Sequence, residues 1–359
     1  MGREGNARRR TTPRRLGKAV RLERVRFCPL CSSLFRGEFT CCAVDGTRLS
    51  AVATGRDPVL GRAIDRFRVD RFLGEGSTGR VYEAVHRTQE ARFAIKLVWG
   101  DLAADQRVQQ RFRRAAELTA QLGHPNVVEV LELTVTAGGL VLLVMPLVRG
   151  PSLRQLLDER GPMTPAEVLP VARQLVHGLG AAHAAGFVHR DVKPANLVLS
   201  DPEDLLRAQL RILDFGLAGL TVLDQDARIT ASGTFVGTPL YMAPEQARSA
   251  AEVSPAADFY AVGVLIHEML TGLPPFEGQT PLEVMIAHST RAPPPLPPSA
   301  GLEQVVAWCL QKRPEARPQT ARALLAELDR VADRLARAPR TGPATALVET
   351  LEMEPVGPQ

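Results

Sequence analysis

The sequence predicts an α+β fold, strand-rich in its first half and helix-rich in its second. Three observations carry this. A glycine-rich turn at residues 73–81 lies between two strand patterns. Two short apolar runs, Phe93-Ala94-Ile95-Lys96 and residues 140–147, read as strands. A helical pattern opens with the capping box Thr164-Pro165-Ala166-Glu167 and continues through Val168, Val171, Leu175, Leu179 and Ala182. Pro170 should loosen or kink its first turns, and Gly186 should end it. At 359 residues and 45% hydrophobic, the chain can bury a substantial core. It has no apolar run near the ~18 residues of a membrane span.

The expected organisation is a basic arm (1–26), a cysteine-bearing module (27–50), a linker (51–66), a main domain (67–332) and a disordered tail (333–359). The arm holds ten Lys/Arg against Glu4 and Glu23, a formal +8, while the whole chain is +5. The basicity therefore belongs to the arm and not to the globular part. It reads as solvated coil; the alternative is contact with nucleic acid or an anionic surface by charge alone. The N-terminus has no apolar h-region, and Asn6 stands where myristoylation needs Ser or Thr. A cytoplasmic protein is expected.

Four of the five cysteines fall at 28–42. Cys28-Pro29-Leu30-Cys31 is a C-P-x-C knuckle, and Cys41, Cys42 and Asp45 follow. Paired thiolates on tight turns are the usual source of a tetrahedral Zn²⁺ site. The expected ligands are Cys28, Cys31 and Cys42, with Cys41 or Asp45 fourth. The other reading is a metal-free loop with reduced cysteines. So short a segment cannot bury a core alone and should be poorly ordered without metal.

The chemistry concentrates in His189-Arg190-Asp191-Val192-Lys193-Pro194-Ala195-Asn196. Phosphoryl transfer needs an Asp to orient and deprotonate the acceptor hydroxyl, a Lys to reach the transferred phosphate and an Asn to ligate Mg²⁺. Further on, Asp214-Phe215-Gly216 offers a second Mg²⁺ ligand. Upstream, Gly74, Gly76 and Gly79 let backbone approach phosphates without Cβ clashes. Their strand–turn–strand setting differs from a dinucleotide-binding loop, which leads into a helix. Lys96 lies in an apolar strand, where a lone Lys is costly to bury unless paired with phosphate.

Together these motifs resemble the eukaryotic-type protein kinase superfamily, in its Ser/Thr branch and in bacterial style. The cysteine segment resembles half of a zinc ribbon, similar to those placed before kinase domains in some bacteria. The resemblance implies a two-lobed protein-kinase fold: a small antiparallel β-sheet lobe with helix C, and a larger, mainly helical lobe. It implies ATP, Mg²⁺ and protein substrates bearing Ser or Thr. Nucleotide contacts would come from Leu73, Gly74, Glu75, Gly76, Ser77, Thr78, Gly79, Arg80, Val81, Ala94 and Lys96. Met145 would be the gatekeeper. Adenine would bond to the Pro146 carbonyl and to the backbone of Val148, with Leu147 between them. Asp191, Lys193 and Lys96 would be catalytic, and Asn196 and Asp214 would hold Mg²⁺. Asp258 and an Arg317–Glu245 pair would be structural. Thr230, Ser232 and Thr234 are candidates for autophosphorylation facing Arg190, and Lys193 with Thr238 points to Ser/Thr specificity. His177 and His183 read as packing or surface histidines.

One position departs from the family pattern. Ala115 stands where helix C should present a Glu to Lys96. Glu117 is two residues on, about 200° around a helix. Either the helix shifts register, or Lys96 lacks its partner and is held by phosphates alone, with an activating partner needed to dock helix C. A pseudokinase scaffold that binds nucleotide is the alternative function.

Overall fold

The computed structural model describes residues 25–37, 39–52, 57–215, 239–248, 253–297 and 301–337, without the side chains of Arg111 and Leu118. Residues 1–24 of the basic arm, most of the tail, Gly216, Thr230, Ser232, Thr234 and Thr238 lie outside the described residues, while Val25 and Arg26, expected in the arm, belong to the first strand.

The cysteine module is a three-stranded antiparallel sheet of β1 (Val25–Phe27), β2 (Leu34–Arg36) and β3 (Ser50–Ala51), in the order β2-β1-β3. Next come β4 (Ala63–Ile64), β5 (Phe67–Glu75), β6 (Gly79–His86) and β7 (Arg92–Val98). They are followed by α1 (Gly100–Ala103), α2 (Gln106–Leu122), β8 (Glu132–Val135) and β9 (Val141–Pro146). The strands pair antiparallel into a six-stranded sheet ordered β4-β5-β6-β7-β9-β8.

Alternation along these strands loads both faces of the sheet. Ala94, Val98, Val141, Leu143 and Met145 pack under α2, which buries Val108, Phe112, Ala115 and Ala116 at helical spacing. Asp105 caps α2 by accepting from the Arg107 amide, and Gly123 ends it at φ 52°. The other face carries Phe67, Val69, Tyr82, Ile95, Leu97, Leu142 and Val144. It is covered by Val25, Phe27 and Leu34 of the module and by Val59 and Ile64. The small lobe is therefore three layers, and the module shares its core.

That corrects two expected boundaries. Residues 57–66 were expected as linker, yet β4 extends the sheet and Asp57 accepts from Tyr82 Oη at 2.9 Å and Arg80 Nη1 at 3.2 Å. At the other end, a helix runs from Ala321 to Arg337 and so past residue 332. It buries Leu324, Leu328 and Val331 along one stripe.

The large lobe is built around two helices. Pro165–Ala184 has the expected capping box at Thr164 and runs unbroken through Pro170, which removes only one amide near its start. Gly186 follows its end at φ 81°. Pro255–Thr271 is buried from Ala256 through Leu270, mostly apolar but with Asp258, His267 and Glu268 enclosed and hydrogen-bonded. Truncating fully buried Leu175 to Ala should cost about 2–5 kcal/mol. The short strands Leu197–Leu199 and Leu210–Ile212 pair beneath the sheet lobe and carry the loops that follow.

Candidate active site

Between the lobes lies a cleft of about 840 Å³. Such a volume falls within the roughly 300–1,000 Å³ of small-molecule sites. Leu73, Gly74, Glu75, Gly76, Ser77 and Val81 form its roof, and Ala94 and Met145 its back wall. Pro146, Leu147 and Val148 line the connection between lobes, and Asp191, Lys193, Asn196 and Asp214 the floor. The apolar floor residues Val198 and Leu213 and the wall residue Val128 also line it. They were missed by sequence reasoning, because single apolar residues beside a polar motif look like ordinary strand core.

Some expected contacts turn elsewhere. Arg80 is 1% exposed and faces away from the cleft, with Nε donating to Glu75 at 2.8 Å and its guanidinium near Trp99. Thr78 is buried. Gly79 is needed for strand pairing, since a Cβ there would collide with the Leu97 carbonyl. The pleat explains this: consecutive residues of β6 point to opposite faces.

Each floor residue has a structural reason for its position. Asp258, 1% exposed, accepts from the His189 and Arg190 amides at 2.8 Å each, and it also bonds His183 Nε2 at 2.8 Å. His183 is thus a support for Asp258. The Asp191 amide donates to His189 Nδ1 at 3.2 Å, so Nε2 carries the ring proton and donates to the Leu213 carbonyl at 3.0 Å. His189 thereby ties the loop to the segment that presents Asp214. Arg190 and Asp214 both adopt left-handed backbone, at φ 67° and 60°. Such conformations cost on the order of 1–3 kcal/mol each and persist where surrounding bonds enforce them.

Lys193 Nζ donates to Asp191 Oδ2 at 2.6 Å. Asn196 Nδ2 donates to the Asp191 carbonyl at 2.9 Å and to its Oδ2 at 3.2 Å. That orientation leaves Asp191 Oδ1 and Asn196 Oδ1 without a partner among the described residues. Across the floor, Lys96 Nζ donates to Asp214 Oδ2 at 2.8 Å. Burial pushes the Asp214 carboxyl up, but Lys96 outweighs it and holds the group below the usual carboxylate range. The expectation that Lys96 is held by phosphates alone is corrected: Asp214 holds it. No register shift brings Glu117 inward, for Glu117 is exposed while Ala115 is 4% exposed in the helix–sheet core. Further from the cleft, Arg317 grips Glu245 bidentately at 2.7 and 2.8 Å in a buried pair, the expected structural tie.

The second cluster is in the module. Cys28, Cys31, Cys42 and Asp45 each offer a ligand atom, all within 4.8 Å of one another. Cys31 Sγ and Cys42 Sγ are 3.6 Å apart. A tetrahedron with Zn–S near 2.3 Å has edges of about 3.8 Å, so this spacing fits. The Cys31 amide approaches Cys28 Sγ at 3.5 Å and the Val44 amide Cys42 Sγ at 3.4 Å, donors that suit thiolates. Cys41 is exposed and outside the cluster, leaving Asp45 as the fourth group.

Residues 67–327 match the family model described as protein kinase domain. This chain belongs to the protein kinase family. The kinase fold shows in its antiparallel sheet lobe and helical lobe, and solved kinase domains share it. A double mutant of the Mycobacterium tuberculosis PknI kinase domain is similar with TM-score 0.60 at 27% identity, covering 78% of this chain and 99% of that one. Among curated proteins, the chain is 34% identical over 296 residues to the serine/threonine-protein kinase pkn3 of Myxococcus xanthus, covering 79% of this chain and 54% of that protein. It is 36% identical over 277 residues to Mycobacterium tuberculosis PknB, with 74% of this kinase chain and 43% of that protein covered. It therefore spans about half the length, or less, of these relatives.

Proposed function

We propose that this chain is an ATP-dependent protein serine/threonine kinase. The observation that carries the reading is the convergence of Asp191, Lys193, Asn196 and Asp214 on one cleft roofed by the glycine-rich turn. The relatives' names, serine/threonine-protein kinases, support it.

Asp191 orients the acceptor hydroxyl and takes its proton on Oδ1, the oxygen that Lys193 and Asn196 leave open. The acceptor oxygen then bonds to the γ-phosphorus as the bond to the ADP oxygen breaks. Lys193 neutralises charge on the moving phosphoryl group, and Lys96 neutralises the remaining phosphates. Asn196 Oδ1 and the Asp214 carboxylate form a hard oxygen donor set suited to Mg²⁺, which when bound spreads the phosphate charge. Met145 and residues 146–148 hold the adenine. We further assign one Zn²⁺ to Cys28, Cys31, Cys42 and Asp45, autophosphorylation to Thr230 or Ser232, and a cytoplasmic location. No helix of the described residues is long and apolar enough to cross a membrane.

Ala115, which gives Lys96 no carboxylate on α2, is what favours a nucleotide-binding scaffold without transfer; Asp191, Lys193, Asn196 and Asp214 in one cleft favour transfer. Incubating the purified chain with radiolabelled ATP, Mg²⁺ and a general protein acceptor tests the reading. Label on Ser or Thr is expected; a label-free chain and acceptor would overturn it.

A further inference from the structure

Among the described residues, Arg36 joins the module to the roof of the cleft. Arg36 ends β2, next to Phe35, which is buried in the module's own core with Cys28, Cys31 and Cys42. Its Nη2 donates to the Gly76 carbonyl, and its Nη1 lies 3.4 Å from the Ser77 carbonyl. These carbonyls belong to the glycine-rich turn that roofs the cleft. Trp99 Nε1 reaches the same Gly76 oxygen at 3.2 Å, and the Arg36 guanidinium stacks over the Trp99 ring at 4.4 Å. Arg36 is also 3.9 Å from Glu75, which holds Arg80. A turn of six residues, 74–79, with three glycines has little of its own to hold it still. Here its carbonyls are gripped from outside, leaving its other side for phosphates.

The contacts that bring Arg36 there are close and specific. A Cβ on Gly100 would collide with the Phe35 ring, and one on Gly138 would sit 2.9 Å from the Cys31 Cβ. Cys31, an expected metal ligand, thus lies against the β8–β9 turn. Cys31 thus belongs both to the metal cluster and to the contact between the module and the lobe.

We propose that Arg36 is a positioning residue for the glycine-rich turn, and that a divalent metal at Cys28, Cys31, Cys42 and Asp45 presents it. The metal fixes the two knuckles, the knuckles fix Phe35, and Phe35 aims Arg36 at Gly76 and Ser77. Loss of the metal releases the turn and weakens nucleotide binding without touching the floor of the cleft. The catalytic half of this proposal rests on the kinase reading; the mechanical half does not.

The test uses the full chain with Zn²⁺ as the metal probe, in wild type, Arg36→Ala, Arg36→Lys and Cys31→Ser. Hydrogen exchange of the amides of residues 74–79, with no nucleotide present, reads the clamp. ATP KM against kcat reads its consequence, and metal content and exchange in 255–271 serve as controls. In Arg36→Ala we expect faster exchange in the turn and KM raised roughly fivefold, with kcat within about twofold and Zn²⁺ retained. Arg36→Lys should recover only part, because an ammonium cannot fork to two carbonyls. Cys31→Ser should lose Zn²⁺ and reproduce the Arg36→Ala changes, and combining the two should add little more. Wild-type exchange and KM in Arg36→Ala would overturn the clamp. Unchanged exchange in a Zn²⁺-free Cys31→Ser chain would overturn the metal's part. A wild type that binds no Mg·ATP would sink the kinase reading, while the exchange difference would still report on the clamp.

Discussion

Lys96 on β7 and Asp214 in the floor of the cleft, 118 positions apart, meet at 2.8 Å. The strand Lys of the small lobe is thereby tied to the large lobe by the carboxylate that Mg²⁺ needs. Among the described residues it has no partner from α2, where Ala115 is buried in the helix–sheet core. In this structure each partner occupies the other.

Ala115→Glu should therefore raise turnover. A carboxylate on α2 would hold Lys96 and free Asp214. The gain is about tenfold if the new pair recovers roughly 1.4 kcal/mol of transition-state stabilisation. The same change overpacks a buried site and should lower the melting free energy by about 1–3 kcal/mol. Glu117→Ala should leave the rate unchanged. Steady-state kcat of both variants decides; loss of activity in Glu117→Ala would show that α2 does turn.

Asp214→Ala should abolish the Mg²⁺ dependence of nucleotide binding, since it removes one of two oxygen ligands. Calorimetric titration with and without Mg²⁺ reads this. A metal-dependent affinity equal to wild type would move the site elsewhere.

The module should carry one Zn²⁺ per chain. Asp45→Ala should weaken it by at least about tenfold, and Cys41→Ser should not, because only Asp45 joins the cluster. Competition with a chromophoric chelator measures both; the opposite order would restore Cys41 as the fourth ligand.

His288 should make the large lobe sensitive to acid. It is 1% exposed, bonded to Tyr260 Oη and beside Phe276, with Lys312 Nζ on its carbonyl. Burial, then Lys312, pushes its pKa from 6.5 down to about 4. The unfolded chain binds the proton more readily, so this stabilisation is full above pH 6.5 and lost as pH falls towards 4. The span is on the order of 3 kcal/mol. Urea unfolding of wild type and His288→Gln across that window should show a shallower pH slope in the variant. Parallel slopes would exclude His288 as the source.

How much of this was legible depended on chain distance. Asp191, Lys193 and Asn196 act within one loop, so their offsets alone announced them. The capping box at Thr164 and the Arg317–Glu245 tie followed from fixed local patterns. The Lys96–Asp214 pair was hidden, because Lys96 seemed to want a helix partner and nothing in sequence says that Asp214 supplies it. No sequence motif marks Arg36 in the short module, or Val59 and Ile64 in the expected linker. Each gains its role only when the module covers the outer face of the sheet, a contact that no periodicity encodes. Arg80, read as a nucleotide contact from its motif position, turns away because β6 alternates.

The most direct measurement is phosphate transfer from radiolabelled ATP by wild type and Asp191→Asn, with ATP affinity measured alongside. The account expects wild type to label Ser or Thr, Asp191→Asn to lose at least about a hundredfold in rate, and ATP affinity to stay within about twofold. Transfer by Asp191→Asn at the wild-type rate, or a wild type that binds ATP and transfers nothing, would contradict it.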